Sequence, residues 1–291
     1  MKIKIDGLCM DYNKNYGTYH IYAYSSIIDK FKQVVCLKDK EIADKLFYRY
    51  SGILFKRKRL SEYTLKEKKT KGKLIIIEAG DGSGKATQTK LLYDRLVRMG
   101  KNVIKVEYPD YESEACAPVK MYLRGEFGGH ADDVNAYTAS LFFAIDRYAS
   151  YRKKWKKAYE ESIIILADRY TTSNMVHQAV KIKDKTKREE FLHWLWDTEF
   201  IKMGLPVPDK VIFLNMPPKL SDKLIEDRAK KTNTAKDIHE KDTAYLAECH
   251  EVYKQIAQKY NWDIINCAKD GMLRSIEDIH EDVFNDIKMY L

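Results

Sequence analysis

The sequence predicts an α/β fold in which a parallel sheet carries helices on both faces. Three observations support this prediction. Short apolar runs rich in β-branched residues recur between residues 74 and 267, helical patterns separate them, and polar residues follow several of the runs. Strands that alternate with helices are joined by right-handed crossovers, so they lie parallel in one sheet. Ligands bind such sheets beyond the carboxyl ends of the strands, where we expect the functional residues.

The N-terminal quarter of the chain differs from this pattern in charge. Residues 1–73 hold 18 Lys and Arg against 8 Asp and Glu, whereas the whole chain holds 52 against 43. The segment is predicted to form three strands and a helix, at 2–6, 18–24, 33–37 and 42–54. We therefore divide the chain into a basic N-terminal extension of unknown role, 1–72, and a domain, 73–291. Basic segments can bind nucleic acid by its phosphates, but a charge run is more often a solvated face, and we favour the second interpretation.

The first strand of the domain leads into a glycine-rich turn. The segment KLIIIEAGDGSGKAT has a buried-strand pattern at Leu74–Ile77 and turns helical from Thr87. Glycines let backbone N–H groups approach phosphates, the helix N-terminus adds positive potential, and the lysine reaches the terminal phosphates. This context predicts a phosphate-binding P-loop with the ATP-binding residues Gly80, Asp81, Gly82, Ser83, Gly84, Lys85, Ala86 and Thr87.

The turn departs from the P-loop consensus at two positions. Ala79 stands where the first glycine belongs, with Gly80 beside it, and Ala86 stands where a magnesium-binding hydroxyl is usual. Phosphate binding tolerates both changes because backbone N–H groups supply it. Direct ligation of magnesium by this loop is therefore left unassigned, and Thr87 is not assumed to replace the missing hydroxyl.

The remaining elements follow in chain order. Strands are predicted at 103–107, 162–167, 210–215 and 263–267. Helices are predicted at 117–123, 134–157, 172–180, 189–203, 220–229, 238–260 and 275–289. Asp168 and Arg169 follow the third of the five strands. A carboxylate there can reach magnesium or its waters, and a guanidinium can hold a phosphate with two donors.

Two residues of the predicted helix 134–157 are spaced to bind a planar base. Phe143 and Arg147 lie one turn apart and therefore on one face, so one can stack on a base while the other hydrogen-bonds to it. Leu141, Ile145 and Tyr148 occupy a different face and are predicted to be core residues.

Four segments carry a resemblance to a known family. The segments KGKLIIIEAGDGSGKATQTKLL, LFFAIDRYASY, DRYTTSNMVHQ and DIHEKDTAYL resemble thymidylate kinases, in a form associated with Firmicute-type bacteria, over residues 71–291. The resemblance implies the P-loop nucleoside monophosphate kinase fold, with a five-stranded parallel sheet and a mobile lid. It also implies transfer of the ATP γ-phosphate to dTMP with Mg²⁺, giving dTDP, usually in a homodimer.

The resemblance further implies roles for individual residues. The catalytic residues are Lys85, Arg169 and Asp168, with Asp168 also a candidate magnesium ligand. The dTMP-binding residues are Asp81 at the sugar 3′-hydroxyl, Phe143 stacked on thymine, Arg147 donating to a thymine oxygen, Arg169 on the phosphate, and Ser173, His177 and Gln178 around the base and sugar. The lid cations are Arg228, Lys230, Lys231 and Lys236.

Several positions depart from the family pattern. Tyr111 lies where some relatives place another phosphate-binding arginine, and Asn215 replaces an expected aspartate. Gly82 stands where one branch has a catalytic arginine, which implies that the positive charge comes from the lid instead. His177 stands where bacterial relatives often have tyrosine beside the sugar 2′ position. The Asp-Arg-x-Glu pattern that closes the lid lacks its arginine at 237–240.

The composition narrows the class of protein, and four functions stay open. No run is long enough to span a membrane, no signal-peptide core is present, and five scattered cysteines suit free thiols, so a soluble cytoplasmic protein is expected. The first function is dTMP kinase, and the second is a kinase of another deoxynucleoside monophosphate. The third is a non-catalytic nucleotide-binding protein, and the fourth a nucleic-acid-dependent NTPase. The base-site pair favours the first over the last two.

Overall fold

The chain forms two compact units, Met1–Lys68 and Lys69–Leu291. In this computed structural model the described residues are 2–5, 8–13, 18–25, 30–37, 71–232, 238–239 and 242–291. Among the described residues, no helix is both long enough and apolar enough to cross a membrane.

The first unit contains a four-stranded antiparallel sheet with the strands in chain order. The strands are β1 (Lys2–Ile5), β2 (Leu8–Asn13), β3 (Thr18–Ser25) and β4 (Lys30–Leu37). Ile21 of β3 is fully buried. The strands predicted at 2–6, 18–24 and 33–37 are confirmed, whereas β2 was not predicted because its sequence, LCMDYN, mixes polar and apolar residues. The predicted helix at 42–54 lies outside the described residues.

The second unit is built on a five-stranded parallel sheet, as predicted. Its strands are β5 (Leu74–Glu78), β6 (Val103–Glu107), β7 (Ile164–Asp168), β8 (Lys210–Asn215) and β9 (Asp263–Asn266). The strand order is β6-β7-β5-β8-β9. Strand β5 is central and all five of its residues are buried, which explains its unbroken apolar run. A small hairpin follows, β10 (Ala268–Lys269) and β11 (Met272–Leu273), whose strands are too short to give a periodic signal.

Helices cover both faces of this sheet. They are α1 (Lys85–Arg98), α2 (Ala117–Leu123), α3 (Ala136–Ser150), α4 (Lys156–Glu160), α5 (Thr171–His177), α6 (Lys185–Trp196), α7 (Pro218–Thr232), α8 (Thr243–Lys259) and α9 (Ile276–Ile287). One core packs α1 and α9 against the sheet through residues such as Leu92 and Val283. The other core packs α5, α6 and α8 against the opposite face through residues such as Phe191 and Tyr253. The doubly covered sheet is therefore confirmed.

Three predicted helices differ from the observed ones. The helix predicted at 134–157 changes to a π-helical turn at Tyr151–Trp155 before α4. The helix predicted at 189–203 ends as α6 and continues as a π-helical turn at Asp197–Lys202. The helix predicted from 238 begins only at Thr243, because the Asp242 side chain caps it by accepting a hydrogen bond from Tyr245 N.

One predicted core stripe is wrong. Leu141, Ile145 and Tyr148 of α3 have exposed fractions of 40%, 49% and 38%. The spacing on one helix face was right, but periodicity does not tell which neighbour covers that face. In the chain described here this apolar stripe faces outward.

Candidate active site

The P-loop joins the central strand β5 to α1. Gly82 and Gly84 have φ angles of +69° and +74°, a left-handed conformation that side chains other than glycine rarely adopt. Helix α1 begins at Lys85, two residues earlier than predicted, and its first turn is closed by the Gln88 N–H donating to Gly84 O. The loop therefore presents the N-terminus of α1 at the carboxyl edge of the sheet, as phosphate binding requires.

Lys85 forms an ion pair with Asp168, the last residue of the neighbouring strand β7. Their side chains are 13% and 10% exposed. Burial lowers the pKa of Lys85, and Arg169 lowers it further, while Asp168 opposes both. The predicted catalytic lysine and aspartate are thus brought together, each neutralising the other.

Arg169 lies at the centre of a polar network beside the P-loop. Its φ of +65° is unusual for a residue other than glycine and turns the chain sharply after β7. Its Nη2 donates to Asp81 Oδ1 at 2.5 Å, and its Nη1 approaches Ser173 Oγ and His177 Nε2 at 3.3 Å each. Burial alone would raise the pKa of Asp81, but Arg169, and then His177 and Lys85, outweigh it and lower the pKa to about 2.

Glu78, which the sequence analysis did not select, supports this network from below. It is fully buried and accepts hydrogen bonds from Thr172 Oγ1 at 2.7 Å, from Ser173 Oγ at 2.9 Å and from Tyr253 OH at 2.9 Å. It also lies 3.6 Å from Arg169 Nη1. Four polar groups therefore compensate the buried charge, and the carboxylate fixes the residues that surround the arginine.

A cavity of about 560 Å³ opens beside Arg169. The structure places all seven residues predicted to bind dTMP around it: Asp81, Phe143, Arg147, Arg169, Ser173, His177 and Gln178. The other lining residues are Tyr108, Pro109, Tyr111, Leu123, Tyr170, Asn174 and His239. The cavity is polar at the Arg169 end and aromatic near Phe143, so it suits a molecule with a phosphate at one end and a planar ring at the other.

Arg147 also lines this cavity and is almost fully buried, at 2% exposure. Its Nε donates to Glu199 Oε2 at 2.8 Å and its Nη2 to Glu199 Oε1 at 2.6 Å. Glu199 is fully buried in the π-helical turn after α6 and also accepts a hydrogen bond from Thr171 Oγ1 at 2.7 Å. Burial would lower the pKa of Arg147, but the Glu199 carboxylate outweighs it and raises the pKa.

Gln178 is fully buried beside the same cavity. Among the described residues, neither its amide nitrogen nor its amide oxygen has a hydrogen-bond partner. A buried amide without partners costs free energy, so its donor and acceptor suit a polar ligand in the cavity.

Two stacked imidazoles, those of His177 and His239, line the same cavity. The rings of His177 and His239 are 5.7 Å apart and within 5° of parallel, and His239 Nε2 lies 2.9 Å from Tyr122 OH. Burial is the largest cause that lowers the pKa of His239, to about 4. Burial and Arg169 lower the pKa of His177 well below its ordinary value. Both rings are therefore neutral at pH 7.

A second cavity, of about 400 Å³, lies on the other side of Asp81. It is bounded by the P-loop, by Pro218 and Ser221 of α7, and by Leu246 and Cys249 of α8. Among the predicted lid cations, Arg228, Lys230 and Lys231 belong to α7, and nothing further is described of their side chains. Lys236 lies outside the described residues.

A magnesium site was predicted at Asp168. Among the described residues there is no group of three or more His, Cys, Asp or Glu that could hold a metal ion. A single carboxylate still fits Mg²⁺, which usually binds through one or two carboxylates, substrate phosphates and waters. Asn215 does not offer a second carboxylate, because its side chain is an uncharged amide, whose Nδ2 donates to Asn266 Oδ1 at 2.8 Å.

The residues that sequence reasoning missed differ in the signal they left. Glu78 left one, because an acidic residue that closes a buried apolar strand must have buried partners. Glu199 and Tyr253 left none, because the residues they contact are distant in sequence and no motif contains them. His239 lies in the segment DIHEKDTAYL, but that segment does not indicate its contacts with Tyr122 and His177. Glu199 lies 52 residues from Arg147, and Tyr253 lies 175 residues from Glu78.

Comparisons with known proteins agree with this geometry. The family model described as Thymidylate kinase matches residues 77–283. The chain is 30% identical to a probable thymidylate kinase of Thermococcus gammatolerans over 215 residues, which cover 73% of this chain and 94% of that protein. It is 27% identical to the thymidylate kinase of Plasmodium falciparum over 75% of this chain and 91% of that protein.

A solved structure shares the fold. The thymidylate kinase of Candida albicans superposes with a TM-score of 0.56 at 19% identity and covers 76% of this chain and 94% of that one. The matches leave the predicted likeness to a Firmicute-type form as a prediction.

Proposed function

The chain belongs to the thymidylate kinase family, and we propose a role for each of its site residues in the transfer of the ATP γ-phosphate to dTMP. The enzyme is a dTMP kinase that converts ATP and dTMP to ADP and dTDP. The observation that carries the residue assignments is that seven predicted acceptor residues surround one cavity, directly beside the P-loop.

The P-loop and Lys85 bind the phosphates of ATP. Backbone N–H groups at the start of α1 hold the phosphate oxygens, and the Lys85 ammonium reaches the transferred group once it leaves Asp168. Phosphoryl transfer spreads negative charge over the equatorial oxygens, so an ammonium in a dry site stabilises the transition state more than the ground state.

Arg169 holds the phosphate of the acceptor nucleotide. Its partner Asp81 is then free to accept a hydrogen bond from the 3′-hydroxyl of the sugar, a role supported by its position beside the phosphate end of the cavity. Exchanging Asp81 for a phosphate keeps the guanidinium paired throughout, which avoids leaving a buried charge without a partner. Lid cations of α7 and of the segment that follows complete the charge around the transferred group.

Magnesium is the expected companion of ATP, and Asp168 is the residue that would hold it. When bound, the ion would neutralise phosphate charge. Asp168 is positioned for this at the end of β7, and its present partner Lys85 would be released to the phosphates when nucleotide binds.

The base end of the cavity selects the acceptor. Phe143 offers a ring for stacking, Arg147 offers N–H donors, and the unpaired amide of Gln178 offers both a donor and an acceptor. A pyrimidine with a carbonyl oxygen at ring position 4 satisfies the guanidinium, whereas an amino group there would oppose it donor to donor.

An assay of ADP release tests this assignment. Wild-type protein is assayed with ATP and dTMP, dUMP, dCMP, dGMP or no acceptor. We expect dTMP to be used best, dUMP to be weaker but detectable, and dCMP to be far poorer, since a missing methyl costs roughly 1–3 kcal/mol and an unpaired buried polar group at least as much. A preference for dCMP or a purine would mean that the base site is misplaced, and equal ADP release without acceptor would indicate an NTPase.

We also propose that the enzyme is a homodimer that pairs through α3. The exposed apolar stripe of Leu141, Ile145 and Tyr148 supports this, because contiguous apolar surface on a helix commonly marks an interface. Light scattering of Ile145→Glu tests the proposal, with Val97→Glu as a control at a similarly exposed apolar residue of α1. We expect a dimer for wild type and the control and a monomer for Ile145→Glu. A monomeric wild type would contradict it.

The N-terminal unit is proposed to be dispensable for catalysis. It precedes the family match, which begins at residue 77, and every residue assigned above follows it. The cytoplasmic location is likewise a proposal, supported by the free thiols of Cys116, Cys249 and Cys267.

A further inference from the structure

The partner that holds Arg147 at the base end of the cavity belongs to no predicted motif. We infer that Glu199 is a positioning residue that sets the base preference of the acceptor site by fixing the guanidinium of Arg147. The inference deepens the proposed function and rests on it, because it concerns how the same cavity distinguishes one acceptor base from another.

Glu199 fixes the orientation of the Arg147 guanidinium. The two hydrogen bonds from Arg147 to Glu199, at 2.8 and 2.6 Å, run side by side from Nε and Nη2. Such a bidentate pair fixes both the position and the plane of a guanidinium. The carboxylate is itself held by Thr171 Oγ1 at 2.7 Å. Arg147 therefore cannot turn to suit a different base without breaking two charge-assisted bonds.

Some N–H donors of the Arg147 guanidinium remain available to a ligand. A guanidinium carries five N–H donors, and Glu199 accepts two of them. Among the described residues the Nη1 group makes only a long contact of 3.5 Å, to Tyr170 O, and Arg147 lines the cavity. The edge left for the base is therefore a donor edge in a fixed place. It favours a carbonyl oxygen and rejects an amino group.

Glu199 also changes the charge that the cavity presents. Two arginines, Arg147 and Arg169, line the cavity, and a nucleotide phosphate is attracted to both. Glu199 is fully buried and cancels the charge of Arg147, whereas Arg169 can exchange Asp81 for the phosphate. The Glu199 carboxylate thus directs the phosphate to the Arg169 end and leaves the Arg147 end for the base.

Steady-state kinetics of Glu199→Gln test the inference. The isosteric amide removes the charge and one of the two acceptor oxygens. We expect kcat/KM for dTMP to fall about tenfold or more, mainly through KM, and the preference for dTMP over dCMP to shrink by a similar factor, while KM for ATP stays unchanged. Asp197→Asn is the matched control, since Asp197 is an acidic residue of the same π-helical turn that pairs with Lys202.

A double-mutant cycle separates positioning from mere structural support. If Glu199 acts through Arg147, adding Glu199→Gln to Arg147→Met should change the base preference no further, because the positioned group is gone. Additive losses of base preference would overturn the inference. So would an unchanged preference in a folded Glu199→Gln protein. Thermal unfolding checks the fold of each variant.

A second variant keeps the test decisive if Glu199→Gln does not fold. Glu199→Asp retains the charge but withdraws the carboxylate by one methylene, so it should narrow the preference by a smaller factor. An unchanged preference in a folded Glu199→Asp protein would then overturn the inference. In each case a wild type that prefers dTMP shows that only the role of Glu199 has failed, whereas a wild type that does not use dTMP would contradict the proposed function itself.

Discussion

The two arginines of the acceptor cavity are held in opposite ways. Arg147 has one carboxylate partner, bound through two short hydrogen bonds, and is 2% exposed. Arg169 shares its donors among Asp81, Ser173, His177 and Tyr253 at 2.5 to 3.4 Å, and its side chain is 14% exposed. Arg147 is thus fixed by one partner through two parallel bonds, whereas Arg169 divides its donors among several partners, which suits a group that exchanges one partner for another. The comparison matches the proposed roles, in which Arg147 selects the base and Arg169 binds the phosphate.

The largest effect is expected at the phosphate end. Lys85→Ala removes the ammonium from a dry site, where one such contact is worth about 3–4 kcal/mol in the transition state. We therefore expect kcat to fall at least about a hundredfold while the ratio of dTMP to dCMP use stays unchanged. Lys90→Ala is the control, since Lys90 is an exposed lysine of the same helix paired with Asp94. A folded Lys85→Ala enzyme with normal kcat would contradict the assignment of Lys85 to the ATP phosphates.

The next largest effect is expected for Arg169→Lys. A lysine keeps the charge but loses the fork that binds phosphate with two donors, so kcat/KM for dTMP should fall about tenfold to a hundredfold. Base preference should be unchanged, because the Arg147 end is untouched. The measurement is kcat/KM for dTMP and dCMP. An altered base preference would contradict the proposal that Arg169 binds the phosphate and Arg147 selects the base.

Arg147→Lys should instead change the base preference. An ammonium cannot make the bidentate pair with Glu199, so the donor at the base end loses its fixed place. We expect the preference for dTMP over dCMP to fall about tenfold, with KM for ATP unaffected. The same assay with both acceptors measures it. A raised KM for ATP would instead contradict the placement of Arg147 at the acceptor base.

A smaller effect concerns the imidazoles. The pKa of His239 is about 4 when folded and near its ordinary 6.5 when unfolded, so between these values the unfolded state binds the proton first. Stability should therefore fall as the pH falls from 6.5 towards 4, by at most about 1.4 kcal/mol per pH unit for one histidine. His239→Gln should flatten this dependence in urea melts at pH 7, 6 and 5. An unchanged slope would show that His239 is protonated when folded.

The smallest effect is expected from removing the first unit. A chain that begins at Lys69 should retain kcat and both KM values, because every assigned site residue follows it. It should also lose nonspecific affinity for polyanions, since 15 of the 52 basic residues and only 8 of the 43 acidic ones are deleted. Full-length protein is the control. An insoluble or inactive product would contradict the proposal that the first unit is dispensable.

The sequence predicted those parts of the fold that have a strong local signal. Strands β5, β7 and β8 are mostly buried apolar runs, whereas the edge strands β6 and β9 are only partly buried. Each of the five was predicted to within about two residues. The π-helical turns were not predicted, because they continue the helical pattern and differ only in hydrogen bonding. The stripe on α3 was misassigned for a related reason. Periodicity identifies an apolar helix face, but that face becomes part of the core only if another element of the chain packs against it.

The candidate site follows the same division. The residues carried by motifs, such as Lys85 and Arg169, were predicted and lie at one edge of the sheet. Their supports were not, because Glu199 and Tyr253 meet their partners through the tertiary fold alone. The sequence therefore predicts the groups proposed to contact substrate better than the groups that hold them in place.

Gly82 has a consequence for how this enzyme can evolve. A Cβ atom at this position would lie 2.6 Å from Ser221 O and 2.6 Å from Ile225 Cγ1, both on α7, and the φ of +69° already excludes most side chains. Transplanting the P-loop arginine of the other branch would force the loop and the helix apart. The two ways of supplying positive charge are therefore not interchangeable by one substitution. In a lineage that packs α7 against this glycine, a P-loop arginine would require coordinated changes on both surfaces.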